Sequence, residues 1–273
     1  MIEIQNDFLK ISVSEDGGEL RSICNHDNVP ILWEGDPNHW AYCSPILFPV
    51  IGQLYNDTYL VKGKEYHLPK HGLVRISKFR LINQSEHEIT LSLHANEETQ
   101  KRYPFHFEMV LKYTLEKNKV ITTCIVKNND TQVLPFQLGF HPGFYYPFQN
   151  NMQAPCDITF EHTETIMGNE NVTHLSLEQE NLFYPRNTIN IMNPVSNTVS
   201  YHNDTQCIQL DITGFTRLAI WRKEPDTPFI CIEPQHGGGD SKDTITDIYK
   251  RNGTILVEPN EAYETSYSIQ IDS

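Results

Sequence analysis

Apolar and polar residues alternate with a period of two along most of this chain. The pattern is clearest in FHFEMVLKYTL (Phe105–Leu115) and KVITTCIVKN (Lys119–Asn128). It returns in Phe8–Ser14, Glu88–Ala95, Cys207–Ile212, Arg217–Arg222, Phe229–Pro234 and Thr265–Ile271. Side chains point to opposite faces at successive positions of a strand, so each run reads as a strand with one buried face. Turn formers separate the runs: Asp16-Gly17-Gly18, Lys62-Gly63-Lys64, Glu116-Lys117-Asn118 and Arg251-Asn252-Gly253. YTLEKNKVITT reads as a hairpin. Helical periodicity is scarce: one short helix is expected within Ser241–Gly253 and one turn of helix in Asn96–Tyr103, before Pro104. No linker or internal repeat breaks the pattern. The expectation is one all-β domain over residues 1–273, a sandwich or barrel-like pair of sheets with long loops.

A chain of 273 residues is long enough to bury a large core without staples. The formal net charge of −14 disfavours phosphate backbones and anionic lipid surfaces as partners, so no nucleic acid and no membrane is expected. Six cysteines are scattered with no C-x-x-C pair, and the N-terminus has neither a basic region nor a long apolar run. A cytoplasmic protein with reduced thiols is expected.

Function in such a fold belongs to its loops. In LGFHPGFYYP (138–147) Pro142 biases His141 away from helix and Gly143 permits a tight turn, which would preorganise the imidazole. Phe144 and the tyrosines after it offer flat faces suited to the C–H faces of a sugar. The competing reading is a turn histidine bonded to backbone, with core aromatics beside it. In HLPKHGLVR, His71-Gly72 repeats the theme, and Arg75 supplies a fixed fork of donors. His67 and His71 have the spacing that holds zinc on a helix, but Pro69 between them opposes a helix, so no metal is expected. Glu233 ends the apolar strand FICIEP, where a carboxylate must be paired or used as a base. Trp40, Phe48 and Trp221 could floor a pocket or fill a core. No nucleophile elbow, P-loop or dinucleotide fingerprint occurs, and no cofactor is expected.

Taken together, these stretches resemble the aldose 1-epimerase (galactose mutarotase-like) superfamily, and most of all its divergent bacterial branch from sugar-utilisation operons. ISVSEDGGELRSI, SPILFPVIGQL, YHLPKHGLVR, LGFHPGF, LAIWRKE, PFICIEP and VEPNEAYETSYSI carry the resemblance over nearly the whole chain. It implies a large twisted β-sandwich and interconversion of the α and β anomers of a hexose or related aldose. It implies His141 as general acid, Glu233 as general base, and His71 and Arg75 as sugar contacts. Gln53 stands where the branch often carries a basic residue. Asp211 is the candidate for the family's sugar-binding aspartate.

Anomer exchange takes a proton from the C1 hydroxyl and gives one to the ring oxygen. One base and one acid on opposite sides of the sugar would do this without metal or covalent intermediate. Three other readings remain at this point: a sugar-binding or sensing protein without catalysis, a mutarotase for hexose phosphates, and a histidine-rich metalloenzyme of the double-stranded β-helix type. Arg75 alone is thin support for a phosphate, which usually has several basic partners. The oligomeric state stays open, a homodimer included.

Overall fold

A computed structural model describes residues 1–166, 170–238 and 243–272. Two antiparallel sheets hold most of the strand residues. The larger has nine strands, ordered Glu170–Ser176, Asp157–Ile166, Thr198–His202, Cys207–Asp211, Ala262–Asp272, Lys119–Asn128, Phe107–Glu116, Glu88–His94 and Arg80–Gln84. Phe107–Glu116 buries every second residue from Phe107 to Leu115, and Lys119–Asn128 does the same from Val120 onward. That is the alternation the sequence displays, and the two strands form the expected hairpin, with Glu116 opposite Lys119.

The smaller sheet runs Thr188–Met192, Arg217–Trp221, Phe229–His236, Leu138–Phe140 and Ile46–Leu47, and Gly143–Tyr145 also pairs with Phe229–His236. One of its faces packs on the inner face of the large sheet. Phe140 meets Tyr267 with ring centroids 4.6 Å apart, and Phe48 meets Phe107 at 5.2 Å. The result is the all-β sandwich expected. Phe229–His236 is buried at all eight positions, because the core covers one face and the cavity described below covers the other.

Among the described residues helix is confined to short pieces. Glu97–Arg102 forms the expected turn, held by a capping box between Asn96 and Thr99. The helix expected in Ser241–Gly253 shrinks to a 3-10 turn at Ile248–Lys250, while Ser241 and Lys242 lie outside the described residues. Thr244, Ile245 and Thr246 are β-branched and crowd a helix. The Thr246 carbonyl instead accepts from the Leu60 amide at 3.0 Å.

Candidate active site

Strand register brings the site together. Leu138 lies opposite His236 and Gly139 opposite Gln235; past the turn, Gly143 lies opposite Cys231 and Phe144 opposite Ile230. The same register carried through Pro142 sets His141 opposite Glu233, and the Ile232 amide bonds the Pro142 carbonyl at 3.2 Å. On the far side Glu233 lies opposite Ala219, which lies opposite Asn190. Paired residues share a face. Asn190, Ala219, Glu233 and His141 therefore form a row across one face of the smaller sheet. A second row holds Arg217, Gln235 and Gly139, and a third holds Trp221, Cys231 and Gly143.

Small residues in those rows leave room above the sheet. A Cβ on Gly143 would lie 2.9 Å from Trp40 Cζ3, so the glycine lets Trp40 lie close over the floor. Trp40 stacks on Phe229 at 5.3 Å and lies 4.9 Å from the His141 ring. The hollow holds a cavity of about 290 Å³ lined by Trp40, His71, Arg75, His141, Trp221 and Glu233, with Lys70, Arg217 and Gln235 among the rest. Its volume is at the small end of ligand pockets, ~300–1,000 Å³, which suits a single sugar ring.

A second wall comes from two clasped loops. His71 sits at φ +65, its amide donates to the Gly52 carbonyl at 2.9 Å, and the Gly52 amide donates to His71 Nδ1 at 3.1 Å. Nδ1 is then the acceptor, so the neutral ring carries its proton on Nε2. Gly72, at φ +76, permits a backbone crossing that a side chain would block, since an added Cβ would lie 2.2 Å from the Phe48 carbonyl oxygen. Gln137, fully buried, ties the wall down. Its Oε1 accepts from the Ile51 amide at 3.0 Å, and its Nε2 donates to the Asn252 carbonyl at 2.7 Å.

His141 Nε2 lies 3.3 Å from Glu233 Oε1. Gln235 Nε2 donates to the other carboxyl oxygen at 2.7 Å. Both members of the pair are buried, 6% and 4% exposed. Burial disfavours charge on each. It lifts Glu233 to about 8 and depresses His141 to about 3. Arg217 and Lys70 pull Glu233 part of the way back. At neutral pH this favours a carboxylic acid beside a neutral imidazole. One proton is then held between two carriers in contact. His71 is held far below its ordinary value by burial and then by its neighbour His141.

Four of the expected substrate-site residues therefore meet the cavity with Glu233: His141, His71, Arg75 and Trp221. Three do not. Phe144 follows His141 by an odd number of residues, so it faces the core, where it is fully buried near Tyr201. Asp211 is exposed and accepts from the Thr213 amide and hydroxyl at 2.9 and 2.6 Å. It borders a separate groove beside Glu264 and Ser266. Gln53 is exposed and its side chain bonds Asp57, although its neighbour Gly52 lines the cavity. His141 and Glu233, expected on opposite sides of a ligand, stand side by side. Lys70, Arg217 and Gln235 were not singled out as site residues from the sequence, and Trp40 was left open between a pocket floor and core filler; it lines the cavity. Strand parity with Glu233 was the signal available for Arg217 and Gln235.

A family model described as aldose 1-epimerase matches residues 1–247. The chain belongs to the aldose 1-epimerase family. Protein LacX (plasmid) of Lactococcus lactis subsp. lactis is 27% identical, with 99% of each chain covered. A galactose mutarotase related enzyme from Lactobacillus acidophilus has a TM-score of 0.91 at 26% identity, covering 100% of this chain and 97% of that one. A galactose mutarotase-like protein from Lactobacillus casei ATCC 334 has a TM-score of 0.89 at 27% identity, covering 100% of both. This membership supports a mutarotase-like, isomerase-type role with a small sugar as ligand. Among the described residues no helix is long and apolar enough to cross a membrane.

Proposed function

We propose that this protein is an aldose 1-epimerase that interconverts the α and β anomers of a single-ring aldose, with Glu233 and His141 as its proton carriers. The observation that carries the reading is their 3.3 Å contact facing a cavity of about 290 Å³. The two oxygens that exchange protons in mutarotation, the C1 hydroxyl and the ring oxygen, share one carbon. Two carriers in contact suit that geometry better than two carriers a full ring apart.

In the ion-pair form, the Glu233 carboxylate takes the C1 hydroxyl proton while the His141 imidazolium gives one to the ring oxygen. The C1–ring oxygen bond breaks and the open aldehyde forms. Glu233 is now a carboxylic acid and His141 a neutral imidazole. Rotation about C1–C2 presents the other carbonyl face, and the reverse transfers close the ring as the opposite anomer. The ion pair and the neutral pair differ only by a proton shift across the 3.3 Å contact, so the pair needs no exchange with solvent between turnovers. Hydroxyls of a bound sugar favour the charged form by solvating it. Trp40 and Trp221 offer flat faces to the ring, and the His71 Nε2–H offers a hydroxyl a donor. Together they keep the open chain in place for reclosure.

A sugar-binding protein without catalysis needs the tryptophans but not a buried acid–base pair, and this favours the enzyme. Polarimetry on freshly dissolved α-hexoses tests it. The wild type is expected to accelerate the approach to equilibrium. Glu233→Gln is expected to lower kcat by about 10²–10⁴-fold. The variant should fold, because Gln235 Oε1 is buried without a partner and an amide flip lets it accept from the new side chain. Full mutarotation by the folded variant would remove Glu233 from the mechanism.

A further inference from the structure

The cavity and the rest of the molecule differ in charge. The chain carries a formal −14, yet the cavity lining includes Lys70, Arg75 and Arg217 against one acid, Glu233. That acid is itself held toward its neutral form. Among the described residues, none of the three cations has a carboxylate within ion-pair distance. Arg217 is engaged by neutral groups, donating to Asn190 Oδ1 and to the Gly237 carbonyl. Arg75 lies over the Tyr42 ring, guanidinium carbon to centroid 4.9 Å, and its Nε is sealed from solvent without a hydrogen-bond partner. Lys70 is exposed and supplies a mobile point charge. Lys70 and Arg75 flank His71 on one loop, whereas Arg217 rises from the sheet beside Gln235.

A neutral hexose can accept from these donors but leaves their charge uncompensated. Its hydroxyls both donate and accept, whereas lysine and arginine only donate. Cations grouped without a counter-charge repel one another and hold the neighbouring imidazoles neutral. Lys70 and Arg75 act in that sense on both His71 and His141. An anionic group on the sugar would supply the missing charge. It would also ease the formation of the His141 imidazolium that mutarotation uses.

We propose that the substrate is an aldose bearing an anionic group, a phosphate or a carboxylate, held by Lys70 and Arg75 from the His71 loop and by the field of Arg217. This rests on the mutarotase reading above. Exchange between anomers is measured by NMR, with the spontaneous rate subtracted, for glucose, galactose, glucose 6-phosphate, galactose 6-phosphate and galacturonate. At least one anionic aldose is expected to exceed its neutral parent about tenfold or more in kcat/KM, since charge-assisted bonds have that strength. Its KM is expected to rise with ionic strength. The phosphate and uronate arms identify which anion is preferred. Lys70→Gln, an exposed site that tolerates change, and Arg75→Gln should each cut the anionic-to-neutral ratio about tenfold. Turnover of neutral hexoses equal to or above every anionic aldose overturns the inference and leaves the mutarotase standing. A ratio unmoved in folded Lys70→Gln and Arg75→Gln overturns it too. No turnover of any aldose overturns both.

Discussion

In the proposed mechanism His141 and Glu233 act as a unit, and their pH behaviour belongs to the pair. The competent form holds one proton between them. A second proton removes the base, and loss of the first removes the acid. With ordinary values of 4.5 and 6.5, that form would occupy a narrow window. Burial moves the limits to about 3 and about 8. A profile of kcat/KM against pH is therefore expected to be broad and flat from about 4 to 7 and to fall above about 8. A narrow bell bounded by 4.5 and 6.5 would mean that the pair is solvated in solution. Both residues drew attention in the sequence: a histidine on a rigid Pro-Gly turn, and a carboxylate in an apolar strand, although that strand does not end at Glu233 as expected but runs on through Pro234 to His236. Lys70 and Arg217 did not, because a lysine or arginine read alone is indistinguishable from the solvated majority. Phe144 was misread because adjacency in sequence was taken for adjacency in space, although adjacent strand residues face opposite ways.

Among the elements, long strands announced themselves and short ones did not. Phe107–Glu116 and Lys119–Asn128 show five clean alternations each. Leu138–Phe140, Gly143–Tyr145 and Ile46–Leu47 are two or three residues long, too short for any period; the first two exist because Phe229–His236 offers them a partner, and Ile46–Leu47 pairs in turn with Leu138–Phe140. Those short strands position His141, so the site's assembly was less legible than the sandwich. The clasp between the Gly52 and His71 loops was hidden for a similar reason, since it depends on Gln137 and on backbone crossings remote in sequence. Gly72→Ala tests that clasp. It combines a left-handed backbone with a 2.2 Å clash against the Phe48 carbonyl. The strain alone is expected to cost about 1–3 kcal/mol in denaturant unfolding, and displacement of His71 should raise KM. Unchanged stability and unchanged KM would show that the two loops are not mechanically joined.

The molecule as a whole should feel the buried pair in its stability. Unfolded, Glu233 and His141 titrate near 4.5 and 6.5; folded, near 8 and 3. Between 4.5 and 6.5 each state holds one proton on the pair, so the contribution is flat. From 6.5 to 8 the folded state holds one proton more, and stability falls as pH rises. Below 4.5 the unfolded state holds one more, and stability falls as pH drops. Thermal melts of the wild type and Glu233→Gln compared at pH 6.5 and 8 should diverge, the wild type alone losing about 2 kcal/mol from this source. Parallel curves would place the carboxyl in an ordinary, hydrated setting. The alignment of His141 with Glu233 has one more consequence. Their separation is dictated by peptide hydrogen bonding between adjacent backbones, whereas Lys70, His71 and Trp40 hang from connecting segments. Relatives could then exchange those segments, and with them the choice of sugar, without retuning the proton relay; a chimera carrying another member's loops on this scaffold should keep its turnover and change its diet.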